Sequence, residues 1–183
     1  MVTTLNRTET DRNITSVTRL EDEIKEIVVA SIEAVRSQLS IFEKDYRLED
    51  LFKNHNFVDR FKYTISEHVS QILSDNDKNI NEIHIYDPST NPDSESGDYL
   101  PIDAPIHMLI VVDTPSASLK ALASSLDRAL ISSMKNLPAP LYKKLESMLD
   151  ILFITPEDVE NRTGYAALLT SIYAPSIKVW QRS

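Results

Sequence analysis

Hydrophobic periodicity constrains this chain more than any other feature, because it changes once and the change divides the sequence. Leu20, Ile24, Ile27, Val28, Ile32, Val35 and Leu39 recur at helical spacing, with Glu21, Glu23, Glu33 and Arg36 between them. That pattern predicts an amphipathic helix over 20–39. Thr18 with Glu21 three residues on has the form of a capping box, which puts the expected start at Thr18. A second helix carries Phe57, Phe61, Ile65, Val69 and Ile72 on one face, after a short helical turn near Asp50 and a cap at Asn54 or Asn56. Both phenylalanines read as core. The period then becomes two. Glu82-Ile83-His84-Ile85-Tyr86 alternates up to the turn Asp87-Pro88 and reads as a strand.

The rest of the chain alternates strands with helices. Ile106 to Val112 is nearly continuous in apolar residues, as a strand buried on both faces should be. Asp113-Thr114-Pro115-Ser116 ends it and opens a helix with Leu119, Leu122, Leu126, Leu130 and Met134 on one face. Pro138 and Pro140 set off a short helix bearing Leu141, Leu145 and Met148, and Leu149 to Ile154 forms a third strand. Thr155-Pro156-Glu157-Asp158 is a helix start with a cap, a proline in the first position and acids in the first turn. A final helix over 165–173 stops before Pro175, and Ile177-Lys178-Val179-Trp180 closes the chain as a short strand. The expected class is α/β or α+β: a mixed sheet of about four strands flanked by helices. The expected organisation is an extended arm at 1–19, a helical N-terminal extension at 20–78 and the sheet domain at 79–183.

Composition narrows the chemistry. Only 2 of 183 residues are glycine, Gly97 and Gly164, too few and too far apart for a phosphate-binding glycine loop. Cysteine is absent, which removes disulfides, thiolate metal sites and cysteine nucleophiles. His55, His68, His84 and His107 are scattered, without a pair at i, i+4. The formal charge of −9 comes without a basic cluster, so approach to nucleic acid or anionic lipid is repelled and protein or small-molecule partners are favoured. No apolar run suits a membrane span, and residues 1–19 lack a secretory core, so the expected location is cytoplasmic. Residues 87–103 are irregular and hold Asp87, Asp93, Glu95, Asp98 and Asp103 with no Lys or Arg. Their spacing does not fit a calcium loop.

Four segments in order, NINEIHIYDPS, APIHMLIVVD, LDILFITPEDV and IYAPSIKVWQRS, resemble the small nucleotidyltransferases of the DNA-polymerase-β-like superfamily over residues 79–183. In that family a Gly-Ser turn follows the first strand, the second strand carries Asp-x-Asp and the third a lone Asp. Residues i and i+2 of a strand share a face, so the paired carboxylates converge on Mg²⁺ that binds the triphosphate. At the matching positions this chain has Pro105 and His107, and Asp150 alone keeps a carboxylate. Asp87-Pro88-Ser89 replaces the Gly-Ser turn, adding a negative charge and removing an N–H. Imidazole suits zinc or nickel better than magnesium.

These departures lead to the expectation of a non-catalytic nucleotidyltransferase-like protein that acts through protein–protein contact, as scaffold or regulatory subunit, without a cofactor. The stripe Leu20, Ile24, Ile27, Val28, Ile32, Val35 and Leu39 is the candidate interface, to be buried on its own domain or on a partner, with homo-oligomerisation through residues 1–39 as the first expectation. The alternative is a nucleotidyltransferase or nucleotide-binding regulator with a modified site at Asp103, His107 and Asp150, using Mg²⁺ or another divalent metal. Against it, a histidine inside an apolar strand is ordinarily a core histidine with one hydrogen bond, and Asp150 could simply face solvent. A weaker alternative is an acidic nucleic-acid mimic that docks a basic protein through 87–103.

Overall fold

An alternating strand has two faces, and each must be covered by something of matching polarity. In the computed structural model, which describes residues 7–39, 47–86, 104–137, 146–171 and 176–182, with side chains from Arg19 onward, the two faces are covered differently. The elements in chain order are α1 (Arg7–Gln38), α2 (Leu48–Leu51), α3 (His55–Asn76), β1 (Ile80–Tyr86), β2 (Ile106–Val112), α4 (Ala117–Lys135), β3 (Leu149–Ile154), α5 (Pro156–Asn161), a 3₁₀ helix (Gly164–Thr170) and β4 (Ile177–Gln181). The sheet runs β3-β2-β1-β4. β1 is antiparallel to both β2 and β4, while β2 and β3 are parallel, joined by a crossover through α4. The expected α+β class with a four-stranded mixed sheet is what the chain adopts.

Helices α1, α3 and α4 cover one face. Ile80 and Ile83 of β1, and Ile106, Met108, Ile110 and Val112 of β2, join them in one buried cluster. Phe52 at the end of α2 meets Phe57 and Phe61 of α3 edge-on, with centroids 5.0 and 5.1 Å apart. Such pairs add about 0.5–1.5 kcal/mol each beyond the area they bury. Asn54 caps α3 by accepting from the Phe57 N–H at 3.2 Å, and Ser116 caps α4 by accepting from Leu119 at 3.0 Å. Among the described residues, the second face is covered on one side only. Leu109, Val111 and Ile154 pack there with Ala166 of the 3₁₀ helix, flanked by Leu152, Val159, Leu168 and Leu169.

Three expectations need correction. Helix α1 begins by Arg7, so 7–19 is helical rather than an extended arm, and Thr18 lies inside the helix instead of capping it. A helix whose later turns are already buried can be extended at the cost of propensity alone, and a Thr-rich stretch costs only a few tenths of a kcal/mol per residue, roughly. The stripe expected as an interface is buried within the chain: Ile24, Val28, Ile32 and Val35 are at most 6% exposed, and Leu20, Ile27 and Leu39 pack around the same core. The described residues of 20–78 therefore share one core with the sheet. The last helix is a 3₁₀ helix ending at Thr170, where an α-helix over 165–173 was expected. It is set off from α5 by two residues at positive φ, Arg162 and Gly164. The helix start at 155 holds as read: Thr155 and Asp158 cap each other reciprocally with Pro156 in the first position. The short helix expected around Leu141 and Leu145 and the acidic loop 87–103 with Gly97 lie outside the described residues.

If the stripe serves this core, Ile24→Ala should lower unfolding free energy by about 2–5 kcal/mol, the range for emptying a buried large aliphatic site. Urea denaturation of the full chain checks this; a loss of association with stability unchanged would return the stripe to a partner surface.

Candidate functional site

Of the three residues marked by the sequence, two are brought together. His107 on β2 and Asp150 on β3 are register partners in the parallel pair, and both side chains rise from the second face. His107 Nδ1 lies 2.8 Å from Asp150 Oδ2. A carboxylate only accepts, so it selects the tautomer with the proton on Nδ1 and leaves the Nε2 lone pair free to act as base or ligand. The side chains are 30% and 48% exposed, so this is an open site and not a core histidine. Asp103 lies outside the described residues. Among the described residues no group of three or more histidines and acids stands together as a metal site.

The surroundings explain why the pair forms. Asp127 of α4 accepts from the Met148 and Leu149 N–H groups at 2.7 and 2.9 Å, and so holds the entry to β3 one residue before Asp150. Buried Lys62 of α3 donates to the Ala104 carbonyl at 2.9 Å and holds the entry to β2. The Ile106 N–H then donates to the Met148 carbonyl at 2.8 Å, which sets the register that pairs His107 with Asp150.

A second histidine–carboxylate pair lies on the same face and was not singled out from the sequence. On β1, His84 Nε2 is 2.8 Å from Glu82 Oε2. His84 Nδ1 is 3.2 Å from Ser176 Oγ, and Lys178 of β4 donates to Glu82 Oε1 at 3.0 Å. The signal was present: Glu-x-His at i, i+2 of an alternating strand puts both side chains on one face. What the sequence does not show is that β4 returns beside β1 with Ser176 and Lys178 in reach. His84 pairs with Leu109 across β1 and β2, and His107 with Tyr86, so the two imidazoles are diagonal neighbours, about 7–8 Å apart by ordinary sheet geometry. The second face is thus apolar where the 3₁₀ helix covers it and polar along Asp150, His107, His84, Glu82 and Lys178.

Burial of His84, only 7% exposed, pushes its pKa below the ordinary 6.5, and the opposing pull of Glu82 does not restore it. Burial acts to raise Glu82, but hydrogen bonds from His84 and Lys178 outweigh it and hold the carboxyl below its usual 4.5. At neutral pH the pair is therefore a neutral imidazole against a carboxylate.

A further concavity lies on the opposite side of the molecule. It is a groove of about 380 Å³ between α4 and β3, lined by Leu149, Ile151 and Phe153 below and Lys120, Ser124 and Arg128 above. β3 is an edge strand, and among the described residues nothing pairs with its outer edge.

Compared with protein-family models, with curated proteins and with solved structures, the chain matches none. The fold and site define an α+β protein with a four-stranded mixed sheet, one face buried under three helices and the other carrying two histidine–carboxylate pairs. No helix among the described residues is long and apolar enough to cross a membrane.

The depressed pKa of His84 has a thermodynamic consequence. The unfolded chain takes up a proton near pH 6.5 that folded His84 resists, so stability should fall as pH drops below 6.5. Glu82 adds a loss in the same direction below its usual 4.5, because its folded pKa is lower still. Denaturation midpoints between pH 7.5 and 5 should decline for the native chain and flatten in His84→Gln; equal slopes would remove His84 as the cause.

Proposed function

We propose that this chain is a nucleotidyltransferase-like protein that works through protein–protein contact, as a scaffold or regulatory subunit, and does not transfer nucleotides. The burial of the α1 stripe moves the contact surface elsewhere, and the observation that carries the reading is the edge strand β3 with its groove. The strand Leu-Asp-Ile-Leu-Phe-Ile has one charge, Asp150, which already serves His107. It has no lysine, proline or bulge, the devices by which edge strands ordinarily avoid pairing. Its outward N–H and C=O groups favour another strand, and the self-complementary partner is β3 of a second copy across a two-fold axis. The side chains of that strand would meet Ile151 and Phe153 at the groove.

Light scattering on the full chain should give twice the monomer mass, and Ile151→Lys, with folding checked by circular dichroism, should return it to a monomer. A monomeric native chain at high concentration sinks this reading.

The second reading, a nucleotide-binding regulator at a modified metal site, draws on His107 and Asp150. Their 2.8 Å contact presents Nε2 to solvent at the position where the resembled family carries a metal carboxylate. The residues supply one imidazole nitrogen and one carboxylate, and the imidazole suits zinc or nickel better than magnesium. A ligand that binds only the folded state at 100 times its Kd stabilises it by about 2.7 kcal/mol. Thermal shifts with nucleoside triphosphates and Mg²⁺, Mn²⁺ or Zn²⁺, abolished by Asp150→Ala, would establish that reading. Unchanged melting across the panel leaves the contact role alone.

A further inference from the structure

The network around His84 goes beyond a contact role and does not depend on it. Three groups stand in line: Glu82 Oε2 to His84 Nε2 at 2.8 Å, then His84 Nδ1 to Ser176 Oγ at 3.2 Å. Directionality follows from the acid. The Glu82 carboxylate can only accept, so in the neutral ring Nε2 carries the proton and Nδ1 presents its lone pair. Ser176 Oγ must then donate to Nδ1, and a hydroxyl that donates to a neutral imidazole is a serine paired with its general base. We propose that Ser176, His84 and Glu82 form a nucleophile–base–acid relay, with Ser176 as an acyl-accepting nucleophile toward small uncharged carboxylic esters.

The surroundings of the three groups suit such a relay. The base is buried while the nucleophile is only partly buried, so His84 is shielded and Ser176 keeps some access to solvent. The acid is itself held: Lys178 bonds Glu82 Oε1 at 3.0 Å, leaving Oε2 for the histidine. Burial keeps His84 neutral at pH 7, the form that can accept a proton. The charges of Glu82 and Lys178 balance locally and the whole chain carries −9, which selects an uncharged ester over an anionic one.

The chemistry balances with water as the only co-reactant. Ser176 Oγ attacks the ester carbonyl carbon while its proton passes to His84 Nδ1, and the imidazolium that forms is stabilised by Glu82. The carbon–alkoxy bond then breaks, the alkoxide takes the proton from His84 and leaves as an alcohol, and the acyl group stays on Ser176. Water, deprotonated by the same nitrogen, attacks the acyl carbon; the carboxylic acid departs and Ser176 recovers its proton.

General-base assistance of this kind is worth about 10²–10⁴-fold. A covalent readout is therefore the most sensitive. The full chain is incubated with a biotinylated fluorophosphonate, the labelled peptide is located by mass spectrometry, and p-nitrophenyl acetate hydrolysis is followed in parallel. The expected result is a label on Ser176, absent in Ser176→Ala, slowed about 100-fold or more in His84→Gln, and less in Glu82→Gln. In the native chain the labelling rate should rise with pH to a plateau, with a midpoint below 6.5. The titratable and charged groups facing His84 are Glu82 on the same strand, Lys178 on β4 and His107, diagonal to it on β2. The native-chain label and its pH profile require no variant to fold. A network that only ties β4 to β1 would lose stability in His84→Gln yet leave native Ser176 unlabelled, and that result overturns the proposal. So would a labelling midpoint at or above 6.5.

Discussion

Everything in this structure depends on the burial of one face of the sheet beneath α1, α3 and α4. Side chains on a strand alternate, so placing Ile83, Ile85, Met108 and Ile110 under helices forces Glu82, His84, Tyr86 and His107 onto the opposite face, while a register shift between Ile80 and Glu82 lets Ile80 join the same core. A slip of one residue in β1 or β2 would carry histidines and an acid into the helical core, where charged or unpaired polar groups are costly. The register is therefore held by the apolar residues, and the polar face is its consequence. The aromatic trio of Phe52, Phe57 and Phe61 and the stripe of α1 belong to the same cluster, so the helical half and the sheet stand or fall together.

The second face is divided, and the division is what makes chemistry possible there. The 3₁₀ helix packs with Leu109, Val111 and Ile154, and neither histidine belongs to that cluster. Each histidine meets its carboxylate in a different way. His84 and Glu82 are two residues apart on one strand and depend only on local alternation. His107 and Asp150 come from different strands and depend on α4, whose Asp127 grips the start of β3. Burial then separates the pairs: His84 is enclosed and kept neutral, whereas His107 opens to solvent.

Much of the architecture was legible because it rests on short-range rules. Period two in Glu82 to Tyr86, the Thr155-Pro156 helix start, the helix opening after Ser116 and a cap at the first of Asn54 and Asn56 all reappear where local pattern places them. The errors fall where long-range burial decides. The Thr-rich stretch after Arg7 has weak helix propensity, yet it continues a helix whose later turns are anchored. The final helix tightens to 3₁₀, with Arg162 before it and Gly164 at its first position, both at positive φ. The stripe from Leu20 to Leu39 has the same spacing whether it meets a partner or its own core, so spacing could not choose between them.

The sequence by itself determined which residues are apolar, at what period, and hence that an α+β chain would place Glu82 with His84 on one strand face. It determined also that His107 lies in a nearly continuous apolar run and that the turn Asp87-Pro88-Ser89 holds no glycine. Tertiary structure decided the rest. It set His107 opposite Asp150, returned β4 beside β1 so that Ser176 and Lys178 complete the network of His84, and turned the α1 stripe inward. The reason is physical: alternation along a strand is a local property of the backbone, whereas the choice of neighbouring strand depends on how far-separated apolar faces pack together.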